Sequence, residues 1–475
     1  MNPQLKEDLQ NLTALLEKTQ LHACYHLNNI DNARTTTDYK ANTIKLLLPG
    51  NGKGGSSTLD IFNARFKEAL AASAGPRYLG FVTGGATPAS IMGDWLTAAY
   101  DQNPQAITGQ GDVSAIIELE TIDLLLQLLQ LPNTFSGGFV TGATMSNFTC
   151  LALARQWAGQ QQNIDIAKDG VLTGIKIFAA TPHSSSVKSL AMLGIGSNNI
   201  IKVKTLEGNR EAIDTGALEI HLSENKNNPC IVITSAGTVN TVDFDDMQAI
   251  AQLKKKYNFW WHIDAAFGAF AACSQKYAHL LTGWENADSI AVDCHKWLNV
   301  PYDSAAFFVK EHYKKLQFET FQNSNAPYLG DPSQNFSYLN FLPENSRRLR
   351  ALPTWFSLMA YGKNGYRDII ENSIAMAHRL GALITDSNSY ELLAPVRLNN
   401  VCFSLKEWKG NPAVIQLFLD TLNSSGKVFM TPTVYNGVNG LRAAFVNWRT
   451  GAPDIEIIFE EMRAAYAIAT GKLIS

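Results

Sequence analysis

Residues 291–300 read AVDCHKWLNV: after a short apolar run, an acid, a thiol, an imidazole, an ammonium and an indole occupy Asp293 to Trp297. A lysine between His295 and Trp297 at a strand end loses hydration. Dehydration disfavours the charged ammonium, lowers its pKa and makes the amine a nucleophile toward carbonyls. Upstream by 32 residues, FWWHIDAAFGAF ends a very apolar run on Asp264, among the small residues Ala265, Ala266 and Gly268. A buried aspartate is costly without a cation or a strong donor. Asp264 therefore reads as half of a structural ion pair, or as a carboxylate facing a flat ligand that the alanines let approach.

Three further segments carry polar residues just past apolar runs. GGFVTGATMSNFTCLALAR is a strand, a turn at Gly142 and a helix opening on Ala143 and Thr144. Its free N–H groups and dipole suit a phosphate, or the run is a helix cap and nothing more. TPHSSSVKSL opens another helix on His183 and three serines. The ring could lie flat on a planar ligand, or the serines simply cap the helix beside a surface histidine. TSAGTVNTVDFDD supplies Gly237 and Thr238, which suit a turn. A phosphate seat, a stacking surface, a carboxylate and an imine-forming amine together match one cofactor, pyridoxal 5′-phosphate.

These residues must be positioned by the elements before them. GGFVTG, IKIFAA, IIKVKT, CIVITS, FWWHID, IAVD and AAFFVK are short β-rich runs, most of them separated by stretches of helical period. Strand alternating with helix predicts an α/β architecture with a mostly parallel sheet, whose ligands sit outside the carboxyl ends of the strands. The division expected is a helical N-terminal segment over 1–75, a large cofactor-binding domain over 76–365 and a small α+β C-terminal domain over 366–475. A long helical pattern beginning near 352 bridges the last two.

The chain has 475 residues, a formal net charge of −3 and 46% hydrophobic residues, which points away from an electrostatic nucleic-acid or membrane binder. Six cysteines form no CxxC pair and fit neither a zinc site nor a disulfide framework; no metal is expected, and reduced thiols suit a cytoplasmic location. The polar, helical start does not resemble a signal peptide, and no apolar run reaches the roughly 18 residues that span a bilayer. GNGKGG at 50–55 satisfies G-x-G-x-x-G, but Pro49 precedes it and no βαβ unit surrounds it, so it reads as a loop.

HIDAAFGAF, DCHKWLNVPYD, GATMSN and PHSSSVKS together resemble the group II pyridoxal-phosphate-dependent decarboxylases, over most of the chain from about residue 76 to 450. The resemblance implies the fold of the type I pyridoxal-phosphate enzymes and α-decarboxylation of an L-amino acid. It implies that Lys296 takes the cofactor aldehyde covalently, Asp264 pairs with the ring nitrogen and His183 stacks on the ring. Ala143 and Thr144 would bind phosphate, with Met145 departing from the small hydroxyl residue common there. His295 would lie near the phosphate or the lysine, and Thr238 and Ala266 would line the ring. Tyr328 in SNAPYLGD matches a loop tyrosine that donates a proton across a homodimer with shared sites. Phe81, Thr83 and Gly84 would form the substrate wall. The family spans aromatic, histidine, glutamate and aspartate decarboxylases. An aromatic substrate is expected here, with an acidic or polar amino acid (glutamate, aspartate, diaminobutyrate) as the alternative. Arg77 could meet an acidic side chain or support its turn, and Arg442 could clamp a carboxylate as in an aminotransferase or serve structure. An aminotransferase or carbon–carbon lyase on the same fold, and a non-catalytic scaffold, are the rival readings.

Overall fold

The computed structural model describes residues 1–37, 47–107, 112–171, 174–322 and 336–471. All seven apolar runs form strands of one sheet: β1 (Phe135–Val140), β2 (Lys176–Ala179), β3 (Ile200–Lys202), β4 (Cys230–Ser235), β5 (Trp260–Asp264), β6 (Ser289–Val292) and β7 (Ala305–Lys310). Their order is β1-β7-β6-β5-β4-β2-β3. Only β7 runs against its neighbours, β1 and β6, while the pairs from β6 through β3 are parallel. The strands β4, β5 and β6 are buried along their whole length. That is why they read as continuous apolar runs rather than as alternating ones.

Parallel pairing brings the strand ends to one edge. Ser235 pairs with Asp264, and Asp264 with Ala291, so the turns after β4, β5 and β6 emerge side by side. Helices Ala143–Gln160 and Ser184–Met192 start at the same edge, after β1 and β2.

A second sheet is antiparallel, in the order β10-β11-β9-β8, from Tyr390–Leu392 (β8), Asn400–Leu405 (β9), Thr431–Tyr435 (β10) and Val438–Ala444 (β11). Helices Pro412–Ser424 and Ala452–Thr470 bury Phe418, Leu422, Ile458 and Met462 in its core. The bridging helix is Ala351–Asp386, broken at Gly362, whose φ of 57° a side chain would resist. Tyr366, Ile370 and Ile374 of this helix pack in the large core, and Ala377, Leu380 and Ile384 in the small one. One element thus crosses from core to core within a single turn. Leu79 also belongs to the small core, where Tyr78 bridges Phe429 and Leu79 bonds the backbone of Phe429 and Ala444. Among the described residues no helix is long and apolar enough to cross a membrane.

Candidate active site

At the carboxyl edge a cavity of about 580 Å³ is lined by His183, Thr238, Asp264, Ala266, Lys296, Arg442, Phe81 and Val82, among others. Residues far apart in sequence meet there: His183, Thr238, Asp264, Ala266 and Lys296 lie at or just past the ends of β2, β4, β5 and β6, Phe81 and Val82 come from the segment before the first strand, and Arg442 lies on β11 of the small sheet.

Asp264 ends β5 and is buried. Its Oδ1 accepts from the Ala266 amide at 3.2 Å, and its Oδ2 accepts from Asn147 Nδ2 at 3.0 Å and Ser186 Oγ at 3.3 Å. Asn147 Oδ1 in turn meets His262 Nε2 at 2.8 Å, and Ser289 Oγ lies 3.0 Å from His262 Nδ1. Burial lowers the His262 pKa to about 4, so the ring is neutral. The sequence offered no sign of this second layer. Asn147 and His262 sit inside a helix and a strand, where their types alone suggest nothing.

Lys296 lies four residues past the end of β6. Its ammonium is 3.2 Å from Asp293 Oδ2, and the side chain is 16% exposed. The nearest carboxylate, buried Asp293, comes from three residues earlier in the same turn. Burial pushes the Asp293 carboxyl up, but the Lys296 ammonium and the His295 ring outweigh it and the net displacement is downward. His295 Nδ1 accepts from the Ser304 amide at 3.2 Å. The ring proton is therefore on Nε2, 3.0 Å from Asp293 Oδ1. Asn299 fastens this turn to the rest of the molecule. Its Oδ1 accepts from Gly85 and Trp448 amides, and its Nδ2 donates to Trp297 and Val446 carbonyls.

His183 precedes its helix and caps it, with Nδ1 accepting from the Ser185 amide at 3.2 Å and lying 2.7 Å from Ser185 Oγ. Both readings of TPHSSS thus describe one residue: the ring caps the helix and also lines the cavity. Burial, with Lys296 and Arg442 nearby, lowers its pKa.

Ala143 and Thr144 open the helix after β1, and no side chain caps its N-terminus. A Cβ on the preceding Gly142 would stand 3.4 Å from the His295 ring, which places Lys296's neighbour against the helix start. Thr238 and Ala266 line the cavity. Of the expected substrate wall, Phe81 lines it together with Val82, whereas Thr83 and Gly84 are not among its lining residues. Gly84 is where two backbones touch, since a Cβ there would lie 1.9 Å from the Lys296 carbonyl oxygen. Arg77 is committed to Asp454 at 2.7 Å and does not line the cavity. Arg442 does line it; its Nη1 donates to the Val239 carbonyl at 3.2 Å, and its buried Nε has no hydrogen-bond partner. Tyr328 lies outside the described residues.

An uncapped helix start, a carboxylate held by three donors, a cavity-facing imidazole and an accessible lysine are a donor set that fits pyridoxal 5′-phosphate. A family profile, the pyridoxal-dependent decarboxylase conserved domain, matches residues 64–406. The chain belongs to the pyridoxal-dependent decarboxylase family. It is a carboxy-lyase that acts on an amino acid with pyridoxal 5′-phosphate. This decarboxylase is 29% identical to the aromatic-L-amino-acid decarboxylase of Bacillus atrophaeus over 391 residues, 80% of this chain and 78% of that protein. It is 27% identical to a phenylacetaldehyde synthase of a Rosa hybrid cultivar, over 78% of this chain and 76% of that one. The fold is similar to that of Oryza sativa TDC solved with PLP and tryptamine: TM-score 0.87, 20% identity, 97% of this chain and 98% of that one. The group II resemblance and the type I fold expected from the sequence are the ones found.

Proposed function

We propose that this decarboxylase removes the α-carboxylate of an aromatic L-amino acid and releases the amine. The observation carrying this reading is a cavity that combines Lys296, Asp264 and His183 with the apolar wall of Phe81, Val82 and Phe267. The aromatic-L-amino-acid decarboxylase relative supports it. When bound, the cofactor supplies an electron sink for the pair left by departing CO₂. Lys296 would hold its aldehyde. Asp264, its own position fixed by Asn147, Ser186 and the Ala266 amide, would keep a proton on the ring nitrogen. His183 and Ala266 would line the ring, and the helix start at Ala143 and Thr144 would hold the phosphate. Arg442 orients the substrate carboxylate, and Tyr328 returns a proton to the α-carbon.

Two experiments test the reading. Borohydride treatment of cofactor-loaded protein, followed by peptide mapping, should label Lys296; a label elsewhere, or none, would remove its basis. A panel of amino acids assayed for CO₂, amine and aldehyde should give CO₂ and amine from phenylalanine, tyrosine or tryptophan. A keto acid without CO₂ would point to transamination. We also propose a homodimer sharing its active sites and located in the cytoplasm. The exposed leucines of the N-terminal helices, at positions 5, 9, 12 and 16, support the dimer.

A further inference from the structure

Glu211 was not singled out by the sequence, yet it lines the active-site cavity beside Thr238, Asn240 and Arg442. Its Oε2 accepts from Thr238 Oγ1 and Thr241 Oγ1, each at 2.6 Å, and from the Thr241 amide at 3.2 Å. Three donors aimed at one oxygen fix the carboxylate in one orientation. Its Oε1 accepts no hydrogen bond from the described residues, and none of them places a cation within ion-pair distance of Glu211. The adjacent Arg210 is turned to Asp243 at 2.8 Å, and Arg397 faces the same Asp243 at 3.6 Å. Arg442, across the cavity wall, bonds a backbone carbonyl and Asn240 rather than Glu211. The cavity therefore carries an anion and a cation that do not pair with each other.

We infer that Glu211 sets the charge selectivity of the site, excluding substrates with a side-chain carboxylate while Arg442 serves the single α-carboxylate of a neutral amino acid. A second carboxylate in this cavity meets Glu211 and finds no spare cation, because Lys296 faces Asp293. Like charges about 6–8 Å apart at an effective dielectric near 20 weaken binding roughly ten- to hundredfold. The inference rests on the decarboxylase reading above and selects between its aromatic and acidic alternatives.

The test is calorimetric binding to the cofactor-loaded protein of two acids without an amino group, 3-phenylpropanoate and glutarate. Glu211→Gln keeps an oxygen for both threonines and removes the charge. The ratio of glutarate to 3-phenylpropanoate association constants should rise tenfold or more in the variant. A change under about threefold, or a fall, overturns the inference. Glu211→Leu, with the same expected direction, serves if the first variant does not fold. Wild-type protein that binds 3-phenylpropanoate but releases no CO₂ from any amino acid would sink the decarboxylation reading, while the ratio would still decide the role of Glu211.

Discussion

The chemistry concentrates at two carboxylates with different tasks. Asp264 is held by neutral donors only, so its charge is available to a protonated ring nitrogen. Asp293 is engaged from within by Lys296 and His295. Replacing Asp264 with Asn removes the charge and keeps the size. We expect kcat to fall on the order of 10²–10³-fold, the scale of a lost electrostatic contact to developing charge, with Lys296 still trapped by borohydride. Loss of the label would show a binding defect instead. If Tyr328 is the proposed proton donor, Tyr328→Phe should lower kcat by roughly 10²–10⁴-fold in steady-state kinetics with KM little changed. An unchanged kcat would assign the proton elsewhere.

Elements hold these side chains through polar contacts beneath the site. His262 on β5 is fully buried and links the helix residue Asn147 to Ser289 on β6. Its folded pKa is about 4 against an ordinary 6.5, so on acidification the unfolded chain takes up the proton first. The stability conferred is complete above the ordinary value and declines as pH falls toward the folded one, by about 3 kcal/mol. His262→Asn lacks the titrating ring, so denaturant melts should show a smaller loss between about pH 7 and about pH 4.5 than in wild type. Equal losses would contradict this. A second buried link ties β1 to the segment before the bridging helix: Arg347 meets Glu118 at 2.7 Å, both essentially unexposed, and Glu118 also accepts from the Phe139 amide at 2.9 Å. Glu118→Gln leaves the guanidinium uncompensated and should cost about 3–5 kcal/mol in chemical denaturation.

At the scale of the molecule, the second sheet contributes to the cavity. Arg442 on β11 reaches the turn after β4, and Asn400 and Thr433 bond the same turn at Val239 and Asn240. The cavity thus depends on the seam between two cores. The N-terminal helices Pro3–Gln10 and Leu12–Asn29 contain no buried residue; Leu5 and Leu9 on the first and Leu12 and Leu16 on the second are exposed, each pair four residues apart. Apolar pairs at this spacing suit a helix–helix contact. If it serves the proposed dimer, Leu9→Glu with Leu16→Glu should shift the protein toward monomer in sedimentation velocity. Unchanged sedimentation would place the interface elsewhere.

The seven strand runs, their α/β order and the residues Lys296, Asp264 and His183 were legible because burial and turn chemistry are written locally. A strand buried on both faces must be apolar throughout, and a polar residue at its end is conspicuous. The partners Asn147, His262, Asp293, Asn299 and Glu211 were not singled out. Each sits among ordinary neighbours, and its meaning comes from what lies across the sheet or the seam. The substrate wall was only partly legible for a related reason. Phe81 and Thr83 are two residues apart, yet Phe81 lines the cavity and Thr83 does not. Sequence by itself determined the chemistry, since the kinds of side chain that end consecutive strands are local facts. Only the tertiary structure decided which carboxylate lies beside the lysine, which is held by Asn147 and Ser186 and which lines the cavity next to Arg442, because those are distances between segments that parallel strand pairing and the meeting of two cores create.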